Sequence, residues 1–482
     1  MRLLTLFLCV CLFAESGTSR VFNRASRLAR YEVAKKTPTY DYDTIFVTQR
    51  IDNFGWAHDG TYQEKVLFSD KHFIPGSPIL LYAGNEGRIE KYCENSGQLW
   101  DLEKELNAMV LFAEHRYYGE SMPFGNESFS SRENLAYFTA DQAMADYANL
   151  VKHIKATRAG AENSKVIVFG GSYGGMLASW MRMKYPNVFD GAIASSAPIW
   201  SFDWPCNSYG RVATDVYRKY GSENCVNNIR AVWEVMNNYG KTEEGKKTLA
   251  SIFHTCTDTV DDVSALKMHL DDAMGTVAMV NHPYPTHFNV PLPAWPIREM
   301  CKVSGLNDAD LTDGSKDEEL MTAVHLAVNV YYNYTGLLEC VDLTPHLSEY
   351  HGWEYQTCTE MRIPFCNDGI EDMFEPDPWD DDDWADECAE KFYGVRPNMN
   401  WTEVSYWGKK IETASNIIWS NGLLDPWSAG GVMTSLSSKQ PIVIMPDAAH
   451  HLELRAAHPD DIESCILARE VETAWIKKWI GF

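Results

Sequence analysis

The chain runs to 482 residues, 45% of them hydrophobic and 12% aromatic, ample for a buried core and long for one compact domain. Its formal net charge of -25 sets it against phosphate backbones, which excludes nucleic acid as a partner and leaves solubility as the plain reading of the acidity. No Cys-x-x-Cys pair and no His-Glu-x-x-His run suggests a metal, and no cofactor is implied.

Arg2 precedes the apolar run Leu3 to Ala14, and small and polar residues follow through Ser19. A basic start, a short apolar centre and small residues before a cut site describe a secretory signal peptide over 1–19. The run is too short to span a bilayer, and no other stretch approaches the required ~20 apolar residues. Residues 20–36 hold Arg20, Arg24, Arg27, Arg30, Lys35 and Lys36 against Glu32 alone. They read as a pro-segment cut near Lys35-Lys36 or as a loose N-terminus. Cys9 and Cys11 fall in the leader; the other ten, behind a signal, read as a mostly disulfide-bonded set whose pairing spacing cannot give. Sequons at Asn126, Asn333 and Asn400 agree with the secretory route, ending in a lysosome or outside the cell.

From Pro78 onward short apolar runs alternate with helical periodicity. Pro78 to Ala83 reads as a buried strand closing in the loop Gly84-Asn85-Glu86-Gly87. A helix over Leu99 to Ala108 and a strand over Met109 to Ala113 follow. Thr139-Ala-Asp-Gln142 is a capping box that starts a helix with Ala143, Tyr147, Leu150, Val151 and Ile154 on one face. Then come a strand at Val166 to Phe169, a glycine turn, a helix at Met176 to Tyr185 and a strand at Gly191 to Ala194. Such alternation predicts a parallel sheet covered on both faces. Between about 205 and 400 the rhythm stops in a cysteine- and tryptophan-rich stretch with helices near Val263 to Val280 and Glu319 to Tyr332. Asp380 to Asp383 reads as a solvated loop. Strands resume at Ser415 to Trp419 and Ile442 to Met445, and a helix over about Asp460 to Ile480 closes the chain. The expected architecture is an α/β domain of residues 37–204 and 401–482 with a mainly helical cap insertion of residues 205–400 over the carboxyl ends of the strands.

Gly170-Gly171-Ser172-Tyr173-Gly174 matches G-x-S-x-G between a predicted strand and a predicted helix, the context of the nucleophile elbow in the α/β-hydrolase fold. A serine needs a base, and the base a carboxylate to orient it. In that fold their chain order is Ser, Asp or Glu, then His. Asp425 stands beyond the strand ending near Trp419, and His450-His451 follow the last strand. Asp447 lies too near the histidines and after the wrong strand. The residues alone leave His450 and His451 both open as the base. Oxyanion donors are expected from the Tyr173 amide and from the Gly84-Asn85 loop. Glu114 to Gly119 is expected to support the site through a buried ion pair.

Gly170 to Met176, Glu114 to Gly119, Gly84 to Gly87, Leu424-Asp-Pro-Trp-Ser428 and Ala449-His-His-Leu-Glu-Leu-Arg455 together resemble the lysosomal prolyl serine peptidase family, from about Phe46 to the C-terminus. That family includes Pro-X carboxypeptidases, dipeptidyl peptidase II and the thymus-specific serine protease. The resemblance implies cleavage after proline near one end of a short peptide, with His450 as the base. It also implies a proline slot at Met176 and Trp427, with Ile363 where the carboxypeptidase has methionine. Pro293 to Ile297, Val328 to Tyr334 and Asp372 to Pro376 look nearer the carboxypeptidase, and Ala456 to Asp461 nearer dipeptidyl peptidase II. Glu86 would suit a terminal ammonium, and Arg455 or protonated His451 a terminal carboxylate. Carboxypeptidase is the leading reading, dipeptidyl peptidase the second. An esterase or lipase would want an apolar trough, and a non-catalytic adhesion module would have lost a triad member. Proline-containing peptides are the expected partners, and a homodimer is one assembly open to the chain.

Overall fold

The computed structural model describes residues 39–287, 290–344 and 351–482. The signal (1–19) and the basic stretch 20–36 lie outside the described residues.

Eight strands form the main sheet: β1 (Asp43–Arg50), β2 (Thr61–Ser69), β3 (Ile79–Ala83), β4 (Met109–Ala113), β5 (Val166–Gly171), β6 (Gly191–Ser195), β9 (Ile417–Gly422) and β10 (Ile442–Met445). A two-residue pair, β7 (Thr286–His287) and β8 (Pro291–Leu292), lies apart. The order across the sheet is β1-β2-β4-β3-β5-β6-β9-β10. From β4 to β10 neighbours run parallel, and β2 pairs antiparallel with both β1 and β4. The sheet is therefore mixed, a correction to the wholly parallel expectation. Sequence reading missed β1 and β2 for a physical reason. β2 buries the charged Glu64 and Lys65, which break its apolar run.

In the centre, side chains alternate faces with period two. Ile79, Leu81, Val166 and Val168 join one core beneath the helices Ala140–Thr157 and Tyr173–Lys184. Leu80, Tyr82, Ile167 and Phe169 join the other, beneath Gln98–Leu106 and Glu463–Ile480. Each such buried aliphatic side chain contributes roughly 1.5–3 kcal/mol. Thr139 caps its helix by accepting from the Gln142 amide. The Gln142 side chain instead accepts from the Asn53 amide and donates to Asp52, so only half of the capping box forms.

No strand of the main sheet lies between β6 and β9, although the two pair directly, Ser195 beside Ser420. The helices Ser208–Tyr220, Glu223–Tyr239, Val263–Met279 and Asp317–Tyr332 share a separate core there, and Leu424 and Ala449 from the loops after β9 and β10 join it. Among the described residues four disulfides form, all in this stretch, Cys206–Cys366, Cys225–Cys301, Cys256–Cys340 and Cys358–Cys388, while Cys93 and Cys465 are free and buried. Asp380 to Asp383 are exposed as expected, but only Asp380 stands outside a helix. It caps the helix Asp381–Lys391, accepting from the Asp382 and Asp383 amides, and the three acids of that first turn favour the positive helix end. Among the described residues no helix is long and apolar enough to cross a membrane.

Candidate active site

Ser172 follows β5 with φ +57° and ψ -128°, a conformation an L-residue holds only at a cost of about 1–3 kcal/mol. Its N–H donates to Ser195 O at 3.0 Å, and its carbonyl accepts the Met176 amide at 3.0 Å. The turn closes tightly enough that a Cβ on Gly170 would collide with Gly174 O, and one on Gly174 with Asn85 Oδ1. Those two positions therefore require glycine. Tyr173 opens the following helix, so its N–H has no partner inside the helix. Its ring is held by Gln356 Nε2 at 2.8 Å and His115 Nε2 at 3.0 Å from the phenol oxygen.

The loop after β3 abuts this turn. Asn85 is buried, and its Nδ2 donates to Gly171 O at 2.7 Å, while Tyr82 donates to its Oδ1 at 3.1 Å. Gly84 leaves the expected set of oxyanion donors. Its N–H already donates to Ala113 O at 3.0 Å, because the first residue past β3 continues the ladder with β4.

Asp425 lies just past β9 and is wholly buried. Its Oδ1 accepts the Trp427 amide at 3.0 Å, and its Oδ2 lies 2.7 Å from His450 Nδ1. The His450 N–H donates to Met279 O at 3.0 Å, so the helix Val263–Met279 steadies the histidine from above. Asp447 points elsewhere and accepts from Ser464. His451 has φ +39°, its N–H donates to Ser196 Oγ at 2.9 Å, and its ring packs on Gly171 with its centroid 4.3 Å from that of His450. Burial above all, then His450, His282 and Arg455, hold the His451 ring far below the usual imidazole range. The expectation of a protonated His451 facing a terminal carboxylate is thereby corrected, since burial and the neighbouring positive charge disfavour it.

Trp427 stands in an aromatic box. Trp204 stacks on it at 5.8 Å, and Tyr209 and Phe365 meet it edge-on at 5.3 and 5.5 Å. Ile363 belongs to this cluster. Met176 packs in the neighbouring sheet core, and Phe202 and Trp353 bridge the two. Sequence reading missed Trp204, Tyr209, Phe365 and His282. The tryptophan richness of the insertion was the only signal, and spacing does not tell which rings converge. Glu86, half-buried, has one carboxylate oxygen without a hydrogen-bond partner, and burial raises its carboxyl above the usual range. Behind the site, Arg116 and Asp146 form the expected buried ion pair, with contacts of 2.7 and 2.8 Å.

A model of the family "Serine carboxypeptidase S28" matches residues 49–472. The chain belongs to this family. It is a serine-type peptidase with the α/β-hydrolase fold. It is 41% identical to the lysosomal Pro-X carboxypeptidase of Bos taurus, over 93% of this chain and 90% of that one. To the Homo sapiens enzyme of the same name it is 42% identical, covering 91% and 88% of the two chains. Among solved structures, a proline iminopeptidase from Mycobacterium smegmatis overlays 90% of this chain and 99% of its own, at 12% identity and a TM-score of 0.39.

Proposed function

We propose that this chain is a Pro-X carboxypeptidase of the secretory and lysosomal route, with Ser172 as nucleophile, His450 as general base and Asp425 as its orienting acid. The observation that carries the assignment is the buried 2.7 Å pair of His450 Nδ1 and Asp425 Oδ2. It commits one ring nitrogen and leaves Nε2 to take the Ser172 proton. Ser172 Oγ then adds to the carbonyl carbon of proline, and the amides of Tyr173 and Asn85 receive the oxyanion. The C–N bond breaks as His450 returns the proton to the leaving amine. Water hydrolyses the acyl-enzyme by the same two proton transfers. The flat pyrrolidine ring fits the slot of Trp427, Ile363 and Met176.

Glu86 supports trimming from the carboxyl end. A carboxyl that burial drives toward its neutral form is a poor anchor for a terminal ammonium. With His451 held neutral, Arg455 is the cation left to face a terminal carboxylate. In this reading residues 37–204 and 401–482 form the catalytic frame and 205–400 its cap. Asn126 and Asn400 are exposed glycan acceptors, whereas the half-buried Asn333 bonds Leu338 in both directions.

The test is incubation of purified protein with peptides carrying proline next to last or second, with the fragments read by mass spectrometry. Release of the single C-terminal residue is expected. Release of an N-terminal dipeptide would replace the assignment with dipeptidyl peptidase, and ester cleavage alone would sink both. Sedimentation of the same sample decides whether a homodimer forms.

A further inference from the structure

Two carboxyl groups, Glu453 and Glu472, lie fully buried below the histidine loop and take no part in the chemistry above. Glu453 sits in the short turn Leu452–Leu454 directly after His451, and Glu472 comes from the closing helix Glu463–Ile480. Glu453 accepts a short hydrogen bond from Ser195 Oγ, and Glu472 accepts from Gln98 Nε2 at 2.7 Å. On each, the second carboxylate oxygen has no hydrogen-bond partner. Among the described residues neither carboxylate has a basic partner within ion-pair distance. Arg455 and Arg469 are nearest in the chain, yet Arg455 faces Tyr284, and the Arg469 guanidinium goes to Asp461 at 2.5 Å and to the carbonyls of Glu453, Leu452 and Ala456. Two buried carboxylates without a cation are too costly to keep both ionised, and a proton held on one of them removes the conflict.

Their position ties this proton to the reacting groups. Ser195, whose hydroxyl bonds Glu453, gives its carbonyl to the Ser172 amide, and the next residue, Ser196, accepts the His451 amide. The loop of the base and the turn of the nucleophile thus meet on two consecutive residues at the end of β6.

We propose that Glu453 is a positioning residue, holding the His450 loop against the Ser172 turn through the Ser195 hydroxyl, and that a proton on the buried Glu472 lets it do so in acid medium. The proposal rests on Ser172 and His450 being the reacting groups. Burial first, then the Glu453 charge, push the Glu472 carboxyl up to about 8, while Gln98, Ser420 and Arg469 oppose. Cys465 and Asp461 are the other titratable groups close by, and neither brings positive charge. A carboxyl raised in the folded state stabilises it most below the ordinary carboxylate range, and that contribution is lost as pH rises through the folded value. The clamp therefore holds in an acidic compartment and loosens above neutrality.

The test compares kcat and KM from pH 4.5 to 8.5 for wild type, Glu472→Gln, Glu453→Leu and Glu453→Gln, with thermal melts in the same buffers. Glu472→Gln needs no proton, so the alkaline limb of kcat moves up by about one pH unit and the melting point falls less between pH 5 and 8. A profile that superimposes on wild type overturns the role of the Glu472 proton. Glu453→Leu loses about ten- to a hundredfold in kcat at pH 5 with KM little changed, the scale of a misaligned catalytic group, and Glu453→Gln restores most of it. Equal activity in Glu453→Leu and wild type overturns the positioning role, as does failure of Glu453→Gln to restore it. Should Glu453→Leu not fold, Ser195→Ala removes only the hydroxyl, and unchanged kcat there overturns the link. Labelling by a fluorophosphonate keeps the two readings apart. A folded wild type that resists labelling at Ser172 sinks the triad assignment, whatever the glutamates do.

Discussion

The sheet and the stretch inserted between β6 and β9 are held together in different ways. The sheet has two apolar cores, one per face, and among the described residues no disulfide. The insertion packs helices around one core and carries all four disulfides. The sheet fixes Ser172 and the loops of Asp425 and His450 through backbone geometry. The insertion contributes Trp204, Tyr209, Ile363 and Phe365 around Trp427, and the Met279 carbonyl behind His450. The proposed reacting groups thus stand on the part set by sheet pairing, and most of the proposed proline slot stands on the part that carries the disulfides.

The sharpest way to break this division is Ser172→Ala, which should lower kcat by about 10⁴- to 10⁶-fold with an unchanged melting curve. A variant retaining a tenth of normal turnover would remove Ser172 as nucleophile and with it the claim that the sheet carries the chemistry. His450→Ala should fall as far, because the base acts in both proton transfers. Removing Cys256 and Cys340 together opens a loop of sequence separation 84 in the insertion. A loss of roughly 2–5 kcal/mol in stability is expected, seen as an early denaturant transition that abolishes peptide turnover while the sheet persists. One coincident transition would show that the two regions fold as a unit.

Trp427→Ala tests the junction, since that tryptophan sits on a sheet loop but packs on rings of the insertion. Trp427 is half-buried, so its loss should cost the packed site less than the ~3–5 kcal/mol of a fully buried aromatic. Activity on proline peptides should drop mainly through KM, and an effect confined to kcat would take Trp427 out of the slot. Smaller still is the effect of Glu360, an insertion residue that accepts the Ala140 amide at 2.6 Å. Burial pushes its carboxyl up to about 8. Its stabilising contribution is full below the ordinary carboxylate range and disappears as pH rises through that value. Glu360→Gln should flatten part of the decline in melting temperature between pH 5 and 8, and an unaltered slope would deny the junction any such role. The smallest effect belongs to His451→Gln. A ring already neutral has no charge to lose, so the acidic limb of kcat should stay where it is, and a shift would reinstate His451 as a charged tuning group.

The sequence by itself determined the rhythm of strands and helices from Ile79 to Ser195, the strained turn at Ser172 and the order Ser, Asp, His. These are local matters, since a strand-glycine-helix junction is written in adjacent residues. The strand β2 escaped because its buried Glu64 and Lys65 find partners outside the strand, Gln49 and Glu90 among them. Only the tertiary structure decided which cysteines pair, that Gly84 has no free amide, that His450 bonds Asp425, and that His451 is neutral. Each depends on groups brought together across tens to hundreds of residues, and on burial, which no spacing encodes. The charge on His451 is the plainest case. The same imidazole would be protonated in acid if exposed, and here burial first, then the neighbouring His450, His282 and Arg455, disfavour that charge.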